Sequence, residues 1–346
     1  MATIVTRYVD PDSTTGGDGT TDALTGANRA YVSLSAALAA EARNLVTADE
    51  ICEIICCSSH ANHTADTALI LITTGTSWVT DSTRYITIKP SASARHSGVY
   101  GTSKYRIEVN LDGAGSVAIL RIDAIGYVKI DGLQIFNTNS TTDQYGDIVR
   151  LGDTTQYGGE VSNCIIRGQG SAATSRTGIN TMRTQCKVWN NIVYDVGTGA
   201  DTRGISICAE TGVNQIFNNT VVNCYTGVYQ NDNTYLSDIT NNLVDNCTVD
   251  FDKGWSWGTN NYNNASSDAT APGTDSHINH TFTFAGSGDY HLASNDTGAI
   301  GLGLADPGSG LFSDDIDGQT RGATWDIGAD QYFIARTRFP LPSFLG

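Results

Sequence analysis

The chain has 346 residues, of which 40% are hydrophobic, 37 are Gly and only 6 are Pro. Its 36 acidic and 20 basic residues leave a formal net charge of −16, and a surface of that sign repels phosphate backbones, so nucleic acid is not an expected partner. No run approaches the roughly 20 apolar residues that a membrane-crossing helix needs, so no membrane partner is expected either.

In chain order, the opening residues Met1 to Arg7 lack the apolar region of a secretory signal. The first periodic segment is Ser33 to Arg43. A Ser stands at its start, and Leu34, Leu38 and Ala42 share one helical face. This amphipathic helix is expected to cap a β structure that follows it, in an N-terminal segment spanning 1–50. The run Ile51-Cys52-Glu53-Ile54-Ile55-Cys56-Cys57 then predicts a strand. With His60 and His63 it also makes a Cys-Cys-x-x-His-x-x-His string of zinc-type ligands. Adjacent Cys56 and Cys57 face opposite sides of a strand, so a strand end and loop are the favoured reading and no metal or cofactor is expected.

Further strands are predicted at Tyr85 to Ile88, Tyr105 to Val109 and Ala118 to Ile122. A motif of apolar, any, Asn or Asp, any, apolar then recurs, centred on Asp131 (where the first position is the polar Lys129), Asn163, Asn190, Asn218 and Asn241. The intervals are 32, 27, 28 and 23 residues, the length of a solenoid coil built from three short strands and their turns. Asn suits the bend because it tolerates left-handed backbone angles. Cys224 and Cys247 each follow the central Asn of their coil by six residues, which predicts an inward stack on adjacent coils, with a disulfide as the rival. All eight Cys are expected to be reduced core residues. The predicted fold is all-β, a right-handed parallel β-helix with an N-terminal capping helix and an irregular C-terminal segment. Coils are expected over 51–262, C-terminal coils or a cap over 263–335, and an extended arm over 336–346.

Two features beyond the coils suggest contacts. Trp255, Trp257 and Tyr262 are candidate platforms for stacking on sugar rings, with a core role as the alternative. The end of the chain runs from Arg336 and Arg338 through Phe339, Leu341, Phe344 and Leu345, with two Pro that bar helix. Such an apolar arm predicts docking on another subunit or a partner, or folding back over the solenoid.

The opening Val9-Asp10 with Gly16 to Thr20, the coil series and the closing Asp315-Ile316-Asp317-Gly318-Gln319-Thr320-Arg321 with Asp326 to Ala329 resemble the right-handed parallel β-helix proteins of the pectate-lyase-like superfamily. That resemblance implies fold more than activity, since the group holds polysaccharide lyases, polygalacturonases, phage tailspikes and virion proteins without catalysis. The polygalacturonase motif set is absent. Asp314-Asp315 is the sole adjacent Asp pair, and a turn role is favoured for it. Asp315 to Gly318 matches half of a calcium loop without the downstream Glu. A lyase would need an Arg or Lys beside calcium. Arg150, Arg167, Arg176, Arg183 and Arg203 lie in or near the coils, where scattered surface placement is favoured.

The resulting expectation is a non-enzymatic phage virion surface protein, made in the host cytoplasm and trimeric as related phage proteins commonly are. It would serve as a capsid decoration protein bound to capsid or tail partners, with no catalytic residue. The alternatives are a tailspike-type protein that binds or degrades host polysaccharide, as a lyase or glycoside hydrolase, and a bacterial surface adhesin.

Overall fold

In Ile86–Pro90, positions 86, 88 and 90 are buried while Thr87 and Lys89 lie between inside and solvent. This two-residue period builds the whole molecule. A computed structural model describes residues 1–333 apart from 73–74, 112–116, 124, 141–144, 153–157, 171–174, 232–236, 255–256 and 259. Among the described residues, three parallel sheets of nine, seven and seven strands run along the molecule, with strands added to each in chain order. From residue 86 onward each coil visits the first, second and third sheet in turn. One complete coil is Lys187–Trp189, Ile192–Gly197 and Arg203–Thr211. Parallel strands joined this way wind right-handed, and the chain is a right-handed parallel β-helix. Its interior is one apolar column from Val9 to Phe251.

The corner between the first and second sheets carries the repeat. Asn163, Asn190, Asn218, Asn241 and Asn263 all sit in the left-handed region, with φ between 50° and 59°. The same place one coil earlier belongs to Gly132, at φ 70°, because Ser162 pairs with Asp131. The expected centre at Asp131 is therefore one residue early. Glycine takes the left-handed place there, so a search for Asn or Asp settles on its neighbour.

After each left-handed Asn the next side chain turns inward. Asn191, Asn219, Asn242 and Asn264 are fully buried and bonded head to tail. Each Nδ2 donates to the next Oδ1, at 2.9, 2.9 and 3.1 Å. Each Oδ1 also accepts the backbone N–H of the preceding coil, beginning with Cys164 at 2.9 Å. Buried amides persist only when satisfied in this way.

The helix forms over Leu34–Ala40 with Ser33 as N-cap, and Leu34, Ala37 and Leu38 pack on the start of the column. The solenoid itself starts before the helix. Thr3–Val9 pairs in parallel with Glu50–Cys56, so the expected boundary at residue 51 is late. None of the eight cysteines is joined in a disulfide. Cys224 and Cys247 stack on adjacent coils, and the Cys224 N–H donates to Cys247 Sγ at 3.4 Å.

The irregular C-terminal segment is more than a cap. Bridges from Thr274 to Tyr262 and from His277 to Ala265 extend the end of the solenoid. The chain then folds back along the Asn corner. Asn263 Nδ2 donates to Leu302 O and Asn241 Nδ2 to Leu304 O, both at 2.8 Å. Asn218 Nδ2 reaches Asp326 O and Gly328 O at 3.1 Å, and Asn190 Nδ2 reaches Asp314 O at 2.8 Å. The outer amides of the corner thus form the seat of the segment. The arm residues Arg336, Arg338, Phe339, Leu341, Phe344 and Leu345 lie outside the described residues.

Under the segment, His96 is buried. Its Nδ1 takes the Gly98 N–H at 3.1 Å and its Nε2 meets Asn163 O at 2.9 Å, an arrangement for neutral imidazole. Burial, with the charge of Arg95, pushes its pKa down to about 4. The folded state therefore binds fewer protons than the unfolded state. The stabilising effect of neutral His96 is present above about pH 6.5 and is lost as pH falls toward 4. Between pH 7.5 and 5 the wild type is expected to lose about 2 kcal/mol more than a His96→Gln variant. Parallel denaturant curves at the two pH values check this, and equal losses would contradict it.

Candidate functional site

On the outer face of the first sheet, register builds two columns. One runs Thr87, Lys129, Glu160, Lys187, Gln215, Asp238. The other runs Asp131, Ser162, Trp189, Phe217, Thr240, Tyr262. Every member of the second column stands one residue before the left-handed position of its corner, which turns it to the outside. Six rungs at about 4.8 Å make a floor about 24 Å long.

The folded-back segment supplies the facing wall. Between them lies a groove of about 900 Å3, bounded by Asp131, Glu160 and Trp189 on the floor and by Phe312, Asp314 and Trp325 on the wall. A smaller hollow of about 200 Å3 continues over Phe217, Thr240 and Tyr262 to Leu304 and Pro307. Trp189 stacks on Phe312 with centroids 6.0 Å apart, and Phe312 leans on Trp325 at 5.3 Å. Tyr262 at the far end is 37% exposed.

Charge in the groove is mixed but acidic. Four carboxylates, of Asp131, Glu160, Asp306 and Asp314, line it with two cations, Lys129 and Arg321. Asp131 is held by Arg95 at 3.0 Å, Ser162 Oγ at 3.1 Å and Asn163 Nδ2 at 2.6 Å. Glu160 lies between Lys129 at 3.3 Å and Lys187 at 3.4 Å. Burial holds Asp314 above the ordinary carboxylate range, and the charge of Asp131 adds to this. The groove thus sets an ion-paired carboxylate near one whose pKa burial raises, beside an apolar wall.

Of the residues singled out in the sequence, Tyr262 belongs to this surface. Trp257 does not: it packs edge-on against Phe251 at 6.2 Å, beside the core. Trp255 lies outside the described residues. Trp189 and Phe217 were missed, although their place just before each corner Asn marks them. Asp314 lines the groove as well as standing in a turn. Arg167 lies on the second sheet over the Phe136 ring at 4.5 Å, and Arg203 on the third over Tyr229 at 4.2 Å. Arg176 is buried and donates to Asn139 O at 3.0 Å. Arg150 occupies the third sheet beside Arg121, and both act on half-buried Asp147, whose pKa is raised by desolvation. The side chain of Arg183 lies outside the described residues. His63 Nδ1 bonds Ser58 Oγ at 2.9 Å, while burial pushes the thiol of Cys57 up to about 12. Among the described residues, the one group of His, Cys or carboxylates with metal-binding spacing is His291, Asp317 and Asp330.

No family model matches the chain, and no curated protein matches it. Solved structures that match include a crystal structure of the pectate lyase Pel9A, at 13% identity and TM-score 0.35, covering 96% of this chain and 97% of that one. The strand order of this chain shows by itself that it is a parallel β-helix.

Proposed function

We propose that the chain binds an extended, neutral polysaccharide along the first-sheet groove, in the manner of a tailspike-type receptor protein. The observation that carries this is the groove between the first sheet and the folded-back segment, flanked by charged side chains and leading to the exposed ring of Tyr262, with Trp189 and Phe217 buried against Phe312 and Trp325 as its apolar support. Sugar rings offer apolar faces for aromatic side chains and hydroxyls for the flanking carboxylates and amines. The excess of carboxylates disfavours polyuronates, whose charge has the same sign.

The test is calorimetric titration with neutral and acidic bacterial polysaccharides, with reducing ends assayed in the same samples. Neutral glycans are expected to bind, and Tyr262→Ala to lower affinity about tenfold, near 1.4 kcal/mol. Tyr262 is exposed, so its loss should leave unfolding unchanged. Binding to no glycan, or binding indifferent to Tyr262→Ala, would remove the groove from the account. Release of reducing ends would turn the reading toward hydrolysis, with Asp314 and Asp131 as the acid and base to mutate.

A virion-surface setting is a second reading, supported by one feature. Thr3–Val9 ends the first sheet; Gly19 and Tyr31 of the same chain cover its outer edge at Tyr8 and Val9, while Ile4 toward its other end is 60% exposed. An open edge is a template for pairing with another chain. We propose that it seats a homotrimer on capsid or tail proteins. Sedimentation of the full chain with and without Ile4→Lys tests the assembly, and an unchanged monomer in both would end that reading.

A further inference from the structure

The hairpin strands Phe284–Gly286 and Asp289–Leu292 meet the turn 315–319 and Asp330 above Gly98. Here His291, Asp317 and Asp330 each present one ligating atom, and the three atoms lie within 4.8 Å of one another. We propose that they bind one divalent transition-metal ion of the zinc type, through His291 Nε2 and one oxygen each from Asp317 and Asp330, with water completing the shell.

Four observations support this beyond the clustering. Asp289 Oδ1 meets His291 Nδ1 at 2.5 Å, the carboxylate contact that orients a metal-binding imidazole and leaves Nε2 forward. Asp317 Oδ1 is sealed from solvent without a hydrogen-bond partner, which an anionic oxygen does not tolerate for nothing. Asp330 Oδ2 is satisfied by the Leu292 N–H at 2.8 Å, so the carboxylate is fixed while its other oxygen remains. Gly98, at φ 69°, has no room for a side chain: a methyl group there would collide with His291 Nε2 and lie 3.1 Å from Asp317 Oδ1. One imidazole with two carboxylates is a borderline donor set, suited to Zn2+ or Co2+. Ca2+ takes about six to eight oxygens and fits poorly.

The ion would join the hairpin, the 315–319 turn and the last described run into one unit. The rival occupant of the same space is a proton on His291, shared with the surrounding carboxylates. The full chain, stripped with chelator, is titrated with Zn2+ by calorimetry, with Co2+ by visible absorption and with Ca2+ for comparison. One equivalent of Zn2+ should bind, Co2+ should develop visible bands, and Ca2+ should displace neither. His291→Gln and Asp317→Asn should each weaken Zn2+ binding by a hundredfold or more with the β spectrum kept. Asp289→Asn should weaken it by about tenfold. Absence of stoichiometric binding by the folded wild type would overturn the proposal and leave a proton-bridged cluster. Equal binding by His291→Gln would overturn it too, and would direct attention to Cys56, Cys57, His60 and His63.

Discussion

Replacing Asn219 with Ala is expected to lower unfolding free energy by about 3–5 kcal/mol, two buried groups at 1–3 kcal/mol each with some repacking. Asn219 is fully buried at the middle of the inner ladder. Its Nδ2 donates to Val188 O and Phe217 O at 3.0 Å and to Asn242 Oδ1 at 2.9 Å. Its Oδ1 accepts from the Asn191 backbone at 3.1 Å and from Asn191 Nδ2 at 2.9 Å. Truncation therefore strands donors of Asn191 where water cannot reach. Leu fills the space but accepts nothing, so it should be nearly as costly. Asp accepts but brings a buried charge. Asn223→Gly is the control, because Gly keeps the left-handed backbone of that position at φ 57°. Asn223 stacks in a second polar row, donating to Asp195 at 3.0 Å and accepting from Asn246 at 2.7 Å, but it is only partly buried. Water can replace those partners, so its loss should cost under about 1 kcal/mol. Denaturant midpoints and exchange of the Asn191 amide measure both. Similar small costs for Asn219 and Asn223 would mean that the inner ladder is not what holds the coils in register.

The two kinds of Asn explain what could be read in advance. Bend and inward alternation are local properties of a few residues and the bend recurs once per coil, so the β-helix was legible from the spacing of Asn163, Asn190, Asn218 and Asn241. The slip at Asp131 has a local cause, since Gly132 meets the same backbone demand without an amide. The groove was half legible. Its floor residues stand in a fixed place before each corner, yet their exposure depends on what covers them. Arg321 reaches Asn190 across 131 residues of sequence, and no periodicity announces such a contact. The same holds for the His291 cluster. Asp315 to Gly318 looked like half a calcium loop lacking its Glu. The structure brings a different set of donors to Asp317 from the hairpin and from Asp330. Asp315 instead closes its own turn, accepting the N–H groups of Asp317 and Gln319 at 3.0 and 2.8 Å.

Arg321→Met is expected to release the folded-back segment while leaving the solenoid intact. Arg321 is 5% exposed, and its guanidinium is the knot of the segment. It donates to Asp314 O at 3.0 Å, Asn190 Oδ1 at 2.9 Å, Gly328 O at 3.0 Å and Ala329 O at 2.9 Å. Burial pulls its pKa down to about 10, while Asp315, Asp330, Asp326 and Asp314 favour its charge. Removing this buried donor leaves several of those acceptors without a partner, at about 1–3 kcal/mol each, so the loss should be about 3–5 kcal/mol. At about 1.4 kcal/mol per factor of ten, the open form of the segment should rise more than a hundredfold. Arg321→Lys keeps the charge but not the planar fork that spans four acceptors, so it should rescue little. Limited proteolysis should then cut within 300–333 far faster, with the β spectrum of the coils unchanged. The same variant separates two roles of the segment. Phe312 and Trp325 leave with it, so glycan affinity should fall in step with protease sensitivity if the groove is the binding site. Affinity that survives while the segment is released would place binding on another face of the rod. Protection that survives would show that the outer Asn seats hold the segment without Arg321.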